Sequence, residues 1–426
     1  MVRKSVLPNG VRVLTEPMPQ LVSATIGIWV ENGSRYEHER QNGVSHFIEH
    51  LLFKGTKKRT AAQIAEQFDA VGGVLNAFTG KEYTCYYAKV LGADLKMATE
   101  LLADLFLESV FDPAEIDRER QVVLQEISQA EDTPDDFIHD LFNLHFWQGH
   151  PLSLPIFGSV ESVNAIDREL LVSFMADRYR AGRVFIAAAG AVDHDGLVAD
   201  CERYFGGIKG DGRGEPIAPP RETVMVLNQP KDLEQAHICI GGPGISQVDP
   251  LRFAAYVMNT AVGGGMSSRL FQEVREKRGR VYSIYSFISS FIDCGYFGIY
   301  AGTNPDWVDE VIEVTLGEIG KVSREGLKPA ELARAKSQLK GNMLLGMESS
   351  DSRMNRLARN EIYFRRDIPL EEVANAIDSV TNDQVVELSQ HCFDSSRMGL
   401  VLLGDLKGRE LGPQVWSALG QERVGL

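Results

Sequence analysis

Cysteine is scarce in this sequence. The five present, Cys85, Cys201, Cys239, Cys294 and Cys392, are odd in number, lie far apart and form no C-x-x-C pair. That excludes a disulfide framework and a thiolate metal site, and leaves buried, reduced thiols. Positive charge is in deficit: 44 lysines and arginines stand against 59 aspartates and glutamates, a formal charge of −15. This balance argues against nucleic acid as a partner and suits the attraction of basic ligands. No apolar run approaches the length that spans a membrane. The start, MVRKSVLPNGVRV, carries two basic residues near its beginning with no apolar stretch behind them, so it does not read as a secretory leader. It is also too short before the first strand-like segment to be a mitochondrial transit peptide. A cytoplasmic protein with no membrane contact is expected. What remains is an ordinary globular composition, 44% hydrophobic and 24% charged, over 426 residues. That length suggests two domains of about 200 residues.

The chain is organised around His46-Phe47-Ile48-Glu49-His50. Two histidines four apart share one face of a helix, and Glu49, three after His46, points the same way. Val44 to Phe53 has no internal glycine or proline, and Gly55 stands where a helix would stop. Two converging imidazoles suit Zn²⁺, and a carboxylate beside them can take a proton from metal-bound water. The pentapeptide alone is equally compatible with a half-buried helix carrying two chance histidines. A catalytic zinc also needs a third ligand from elsewhere, with a position left for water.

Strands are predicted over Val11 to Glu16 and Ala24 to Glu31. Thr60-Ala61-Ala62-Gln63 reads as a reciprocal cap opening a helix. VLNAFTG and EYTCYYAKVL read as two strands about a turn at Gly80-Lys81. Asp112-Pro113-Ala114-Glu115 opens a long helix. Between Gly206 and Pro220 the sequence GGIKGDGRGEPIAPP is the clearest linker.

Beyond the linker the first half recurs. FDPAEIDRERQVVLQE from 111 aligns with LKPAELARAKSQLKGN from 327, an offset of 327 − 111 = 216. Asn164-Ala165-Ile166-Asp167 recurs as Asn375-Ala376-Ile377-Asp378. A repeat of this size means domain duplication. At that offset Glu126 corresponds to Asn342 and Glu119 to Ala335, and the counterpart of the motif helix, FAAYVMNTAVGGG, has no histidine or glutamate. The fold alone therefore does not require Glu119 and Glu126. Seven apart, they share a helix face. Glu126 would complete a two-histidine, one-glutamate zinc set, and Glu119 would orient a ligand histidine. The competing fate of either is a solvated glutamate on a polar face.

Taken in order, HFIEHLLFKGT, LNAFTGKEYTCYYAK, RERQVVLQEI and GGGMSSRLFQEVREKRGRVYS resemble the pitrilysin/insulysin family of zinc peptidases, in particular its bacterial branch similar to the β-subunit of mitochondrial processing peptidase. The resemblance covers essentially the whole chain, and H-x-x-E-H is the inverted zincin motif. It implies an α+β protein of two homologous domains, each a mostly antiparallel sheet with helices packed against it, in a clam-shell around a chamber. Residues 1–210 would form the catalytic zinc-binding domain. Residues 221–426 would form a metal-free homologous domain completing the substrate site, with 206–220 as linker. One Zn²⁺ per chain would be held by His46, His50 and Glu126, with Glu49 as base and Glu119 in support.

By the same resemblance, Leu75–Thr79, including Asn76 and Ala77, is an edge strand along which a peptide is laid. Arg275 and Tyr282 match a substrate-facing pair, the tyrosine able to donate to an oxyanion; without the resemblance they read as a surface arginine and a half-buried tyrosine. Phe53 would wall the residue after the cleaved bond. Asp136 and Asp140 would hold an arginine before it, although Asp135 and Asp136 also suit the start of a helix by charge alone. Arg280 departs from the family pattern. A homodimer is expected, with no nucleic acid or membrane partner. The alternative function is a non-catalytic scaffold subunit paired with a catalytic homologue. A zinc hydrolase of non-peptide amides is a third reading. His139, His145, His150, His237 and His391 read as surface or core histidines.

Overall fold

A computed structural model describes residues 1–212, 217–406, 408 and 411–419. Strands β1 (Arg3–Val6), β2 (Arg12–Pro17), β3 (Ser23–Val30), β4 (Val74–Thr79), β5 (Thr84–Leu91) and β6 (Val184–Gly190) form one sheet in the order β1-β2-β6-β3-β5-β4. Strands β7 (Met225–Gln229), β8 (Ala236–Pro243), β9 (Val281–Ser290), β10 (Gly295–Thr303) and β11 (Gly399–Leu403) form a second, ordered β7-β11-β8-β10-β9. Without β1 the two orders are the same. Each sheet is antiparallel except for one parallel pair, β2 with β6 and β7 with β11. The protein is thus α+β with two mixed, mostly antiparallel sheets. The duplication extends to helices. Pro113–Glu131 and Pro329–Gly346 both begin at the aligned prolines. Among the described residues, no helix is long and apolar enough to cross a membrane.

The chain divides into two compact units, at the linker but also around two exchanged helical segments. The first unit is Met1–Gln129, Leu154–Ala218 and Gly346–Asp367; the second is Ala130–Ser153, Pro219–Leu345 and Ile368–Leu426. The reason lies in the two faces of each sheet. Along β6, Val184, Ile186 and Ala188 enter one apolar cluster, while Phe185, Ala187 and Ala189 enter another, the alternation of a strand covered on both sides. Helices of the first half, including the motif helix, cover the first face. The second face is covered by Ser350–Phe364, which buries Met354, Leu357, Ala358 and Ile362 on Trp29 and Phe185. Salt bridges pin it there: Glu361 meets Lys4 at 2.7 Å and Arg12 at 3.0 Å, and Glu16 takes Arg353 and Arg356 at 2.5 and 3.1 Å.

In exchange, Pro134–Phe146 belongs to the second unit. Its Ile138, Leu141, Phe142 and Phe146 pack on Cys239, Tyr296, Tyr300, Val401 and Leu403. The two helices are equivalents, since 350 − 134 = 216. The division expected at 206–220 therefore contains one boundary of the compact units, between Ala218 and Pro219, but leaves out the exchange of Ala130–Ser153 and Gly346–Asp367. A sequence pattern shows that a helix is amphipathic without showing which sheet it covers. Residues 213–216 of the linker and 420–426 of the second domain lie outside the described residues.

Candidate functional site

The motif occupies the helix Val44–Leu52. His46 is buried, His50 is half-buried, and their ring centroids stand 4.6 Å apart. Glu126, on Pro113–Glu131, brings Oε2 to 3.7 Å from Nε2 of His46 and 3.5 Å from Nε2 of His50. One ligand atom from each of the three lies within 4.8 Å of the others. Two ligands about 2.1 Å from one zinc at the tetrahedral angle stand about 3.4 Å apart, so the set fits that ion.

Two further observations support the fit. Oε2 of Glu126 is buried and has no hydrogen-bond partner, a state that costs about 1–3 kcal/mol or more unless a cation relieves it. Burial, with His50 alongside, pushes the pKa of His46 down to about 3, so its ring is neutral and offers a lone pair.

Glu119 is buried on the same face as Glu126. Its Oε2 lies 3.2 Å from Nδ1 of His50, and its Oε1 pairs with Lys54 at 2.7 Å. A carboxylate at Nδ1 holds the proton there and leaves Nε2 facing Glu126. Glu49 accepts a hydrogen bond from the Thr79 hydroxyl. Burial pushes its carboxyl above the ordinary range, against the pull of Thr79 and His50, which moves it towards the range of a useful base.

Thr79 ends β4, and β4 is one of the two edge strands of its sheet, paired only with β5 among the described residues. Asn76 is exposed and Ala77 half-buried on it. Phe53 follows the motif helix and packs half-buried against the core. The structure thus gathers His46, His50, Glu126, Glu49 and Glu119 within one unit, with Phe53 and β4 in that same unit.

Arg275, Tyr282, Asp136 and Asp140 belong to the other unit. The Arg275 guanidinium lies 4.7 Å from the ring centroid of Phe271 and 5.8 Å from that of Tyr282. Tyr282 is 79% exposed rather than half-buried. Arg280 stacks 3.6 Å over Trp307 and pairs with Glu310 at 2.8 Å, a structural use for the departure from the family pattern. Asp136 is exposed in the first turn of its helix and Asp140 is half-buried one turn on.

Sequence reasoning passes over Thr79, Lys54 and Phe157. The Phe157 ring stands edge-on to His46 at 5.2 Å. Lys54 could have been found, four after His50, and Thr79 lies in a strand already singled out. Nothing local marks Phe157.

Residues 12–160 match the family model Insulinase (Peptidase family M16), and 165–339 match Peptidase M16 inactive domain. An uncharacterized zinc protease of Streptomyces coelicolor is 42% identical over 418 residues, covering 96% of this chain and 91% of that protein. One of Bacillus subtilis is 39% identical over 393 residues, covering 92% and 96%. Among solved structures, a peptidase M16 inactive domain from Pseudomonas fluorescens superposes with TM-score 0.88 at 21% identity, covering 97% of this chain and 99% of that one. A protease from Helicobacter pylori gives 0.89 at 21% identity, covering 95% and 99%. At such identity the structural likeness speaks for the fold alone, whereas the sequence relatives reach further. The chain belongs to the insulinase family of peptidases, peptidase family M16.

Proposed function

We propose that this chain is a zinc-dependent endopeptidase that cleaves peptides or unfolded segments. His46, His50 and Glu126 would hold one Zn²⁺. The observation that carries this reading is the buried, unpartnered Oε2 of Glu126, facing both imidazoles beside Glu49. Zinc bound there supplies a Lewis acid for the scissile carbonyl and lowers the pKa of a water. Glu49 takes the proton of the attacking water and returns it to the leaving amine. Glu119 keeps His50 in the ligating tautomer. The free edge of β4 takes the peptide by main-chain pairing, which gives affinity without requiring a sequence.

A scaffold subunit would be free to lose any of these residues. The complete constellation in the first half favours the enzyme. The test is chelation followed by metal re-addition. Peptide cleavage should vanish and return with zinc at close to one per chain, and His46→Ala should lose both metal and rate. Full activity in a metal-free sample would overturn the reading.

A further inference from the structure

The helix that carries His46, Glu49 and His50 begins without a capping side chain. Gly43 holds the N-cap position with φ of +92°, and a Cβ there would meet the Phe157 carbonyl oxygen at 2.5 Å. Only glycine fits, and glycine has nothing with which to satisfy the first amides of the helix.

Glu37 does so from outside the helix. Its Oε2 accepts from the Gly43 amide at 2.7 Å and from the Asn42 side chain at 3.2 Å, and its Oε1 accepts from the Ser45 amide at 2.8 Å. Glu37 is 1% exposed. A carboxylate in this place also suits the positive end of the helix.

The turn that bears Glu37 is itself fixed. The Ser34 and Arg35 amides donate to the carbonyls of Gly80 and Lys81 at 3.2 and 2.7 Å. Gly33 comes so close to that hairpin that a Cβ would sit 2.2 Å from the Gly80 oxygen. The Arg35 side chain pairs with buried Glu82 at 2.7 Å, and Glu82 accepts from the Tyr363 hydroxyl at 2.9 Å. The hairpin tied down in this way is the one whose Thr79 holds Glu49.

We propose that Glu37 is a positioning residue: its buried carboxylate replaces the missing cap and locks the zinc helix to the β4–β5 hairpin, so that ligands and base share one rigid frame before metal binds. The catalytic consequence rests on the peptidase reading, while the capping does not.

The test is Glu37→Gln, which keeps the shape but cannot accept at both oxygens. Zinc affinity, measured by competition with a chromophoric chelator, should weaken about 10–100-fold, the usual cost of removing a group that orients a ligand. Amides 43–47 should exchange with solvent faster, and kcat should fall with KM little changed. Wild-type zinc affinity and exchange in the folded variant would overturn the proposal. If the variant does not fold, the wild-type protein decides. In the metal-free protein, residues 43–52 should already be protected from exchange. Free exchange until zinc is added would show that the metal, and not Glu37, orders the helix. A wild-type protein that binds no zinc would sink the peptidase reading and leave the cap to be judged by exchange alone.

Discussion

Glu119 links Lys54 to His50, and its removal would leave a lysine without its carboxylate and a ligand histidine without its orienting partner. Glu119→Gln should therefore weaken zinc binding about 10–100-fold while leaving the three ligands in place. Chelator competition measures this, and wild-type affinity would mean that His50 is oriented by something else. Much at this scale is legible in the sequence. The spacing of His46, Glu49 and His50 needs only helical geometry. Glu126 stands out because its own duplicate is Asn342. Thr79 and Glu37 are not legible in that way. Each meets the motif helix through a tertiary contact, and a glutamate nine residues before His46 carries no local sign that it caps a helix.

Among the elements, β4 makes the most direct claim on substrate. The Ala77 amide donates to the Asn76 side chain at 2.8 Å and so points away from β5. A peptide adding to this edge would displace Asn76 and take that donor. Ala77→Pro removes it, and proline is tolerated on the open side of an edge strand. The variant should fold normally and lose about tenfold in kcat/KM on an unstructured peptide, the value of one main-chain hydrogen bond of ~1.4 kcal/mol. An unchanged kcat/KM would show that peptides do not pair there. The strands and their caps are readable from alternation and turn residues. Thr60 and Gln63 form the reciprocal cap that their spacing predicts. β1, with its short and exposed pattern, is not.

For the whole molecule, the exchange of Pro134–Phe146 and Ser350–Phe364 is decisive. A fragment of residues 1–210 carries every ligand but lacks the helix that covers Trp29, Phe185, Ala187 and Leu14. It should be poorly packed and inactive, binding a hydrophobic dye and melting without a cooperative transition. A fragment that unfolds cooperatively would contradict the role given to the exchange. Both helices are visible in the sequence as amphipathic segments. Their destinations are not, because either sheet offers a similar apolar face to a similar stripe. The expected pairing of two chains is tested by light scattering: a mass of two chains supports it, and a single-chain mass across working concentrations contradicts it.

The central claim is that Glu49 does the proton work beside a zinc held by His46, His50 and Glu126. Zinc content and peptide cleavage, measured together on Glu49→Gln, address it most directly. A neutral amide cannot accept the proton, so the variant should keep close to one zinc per chain while its rate falls about 10²–10⁴-fold. Cleavage at the wild-type rate with zinc in place would contradict it.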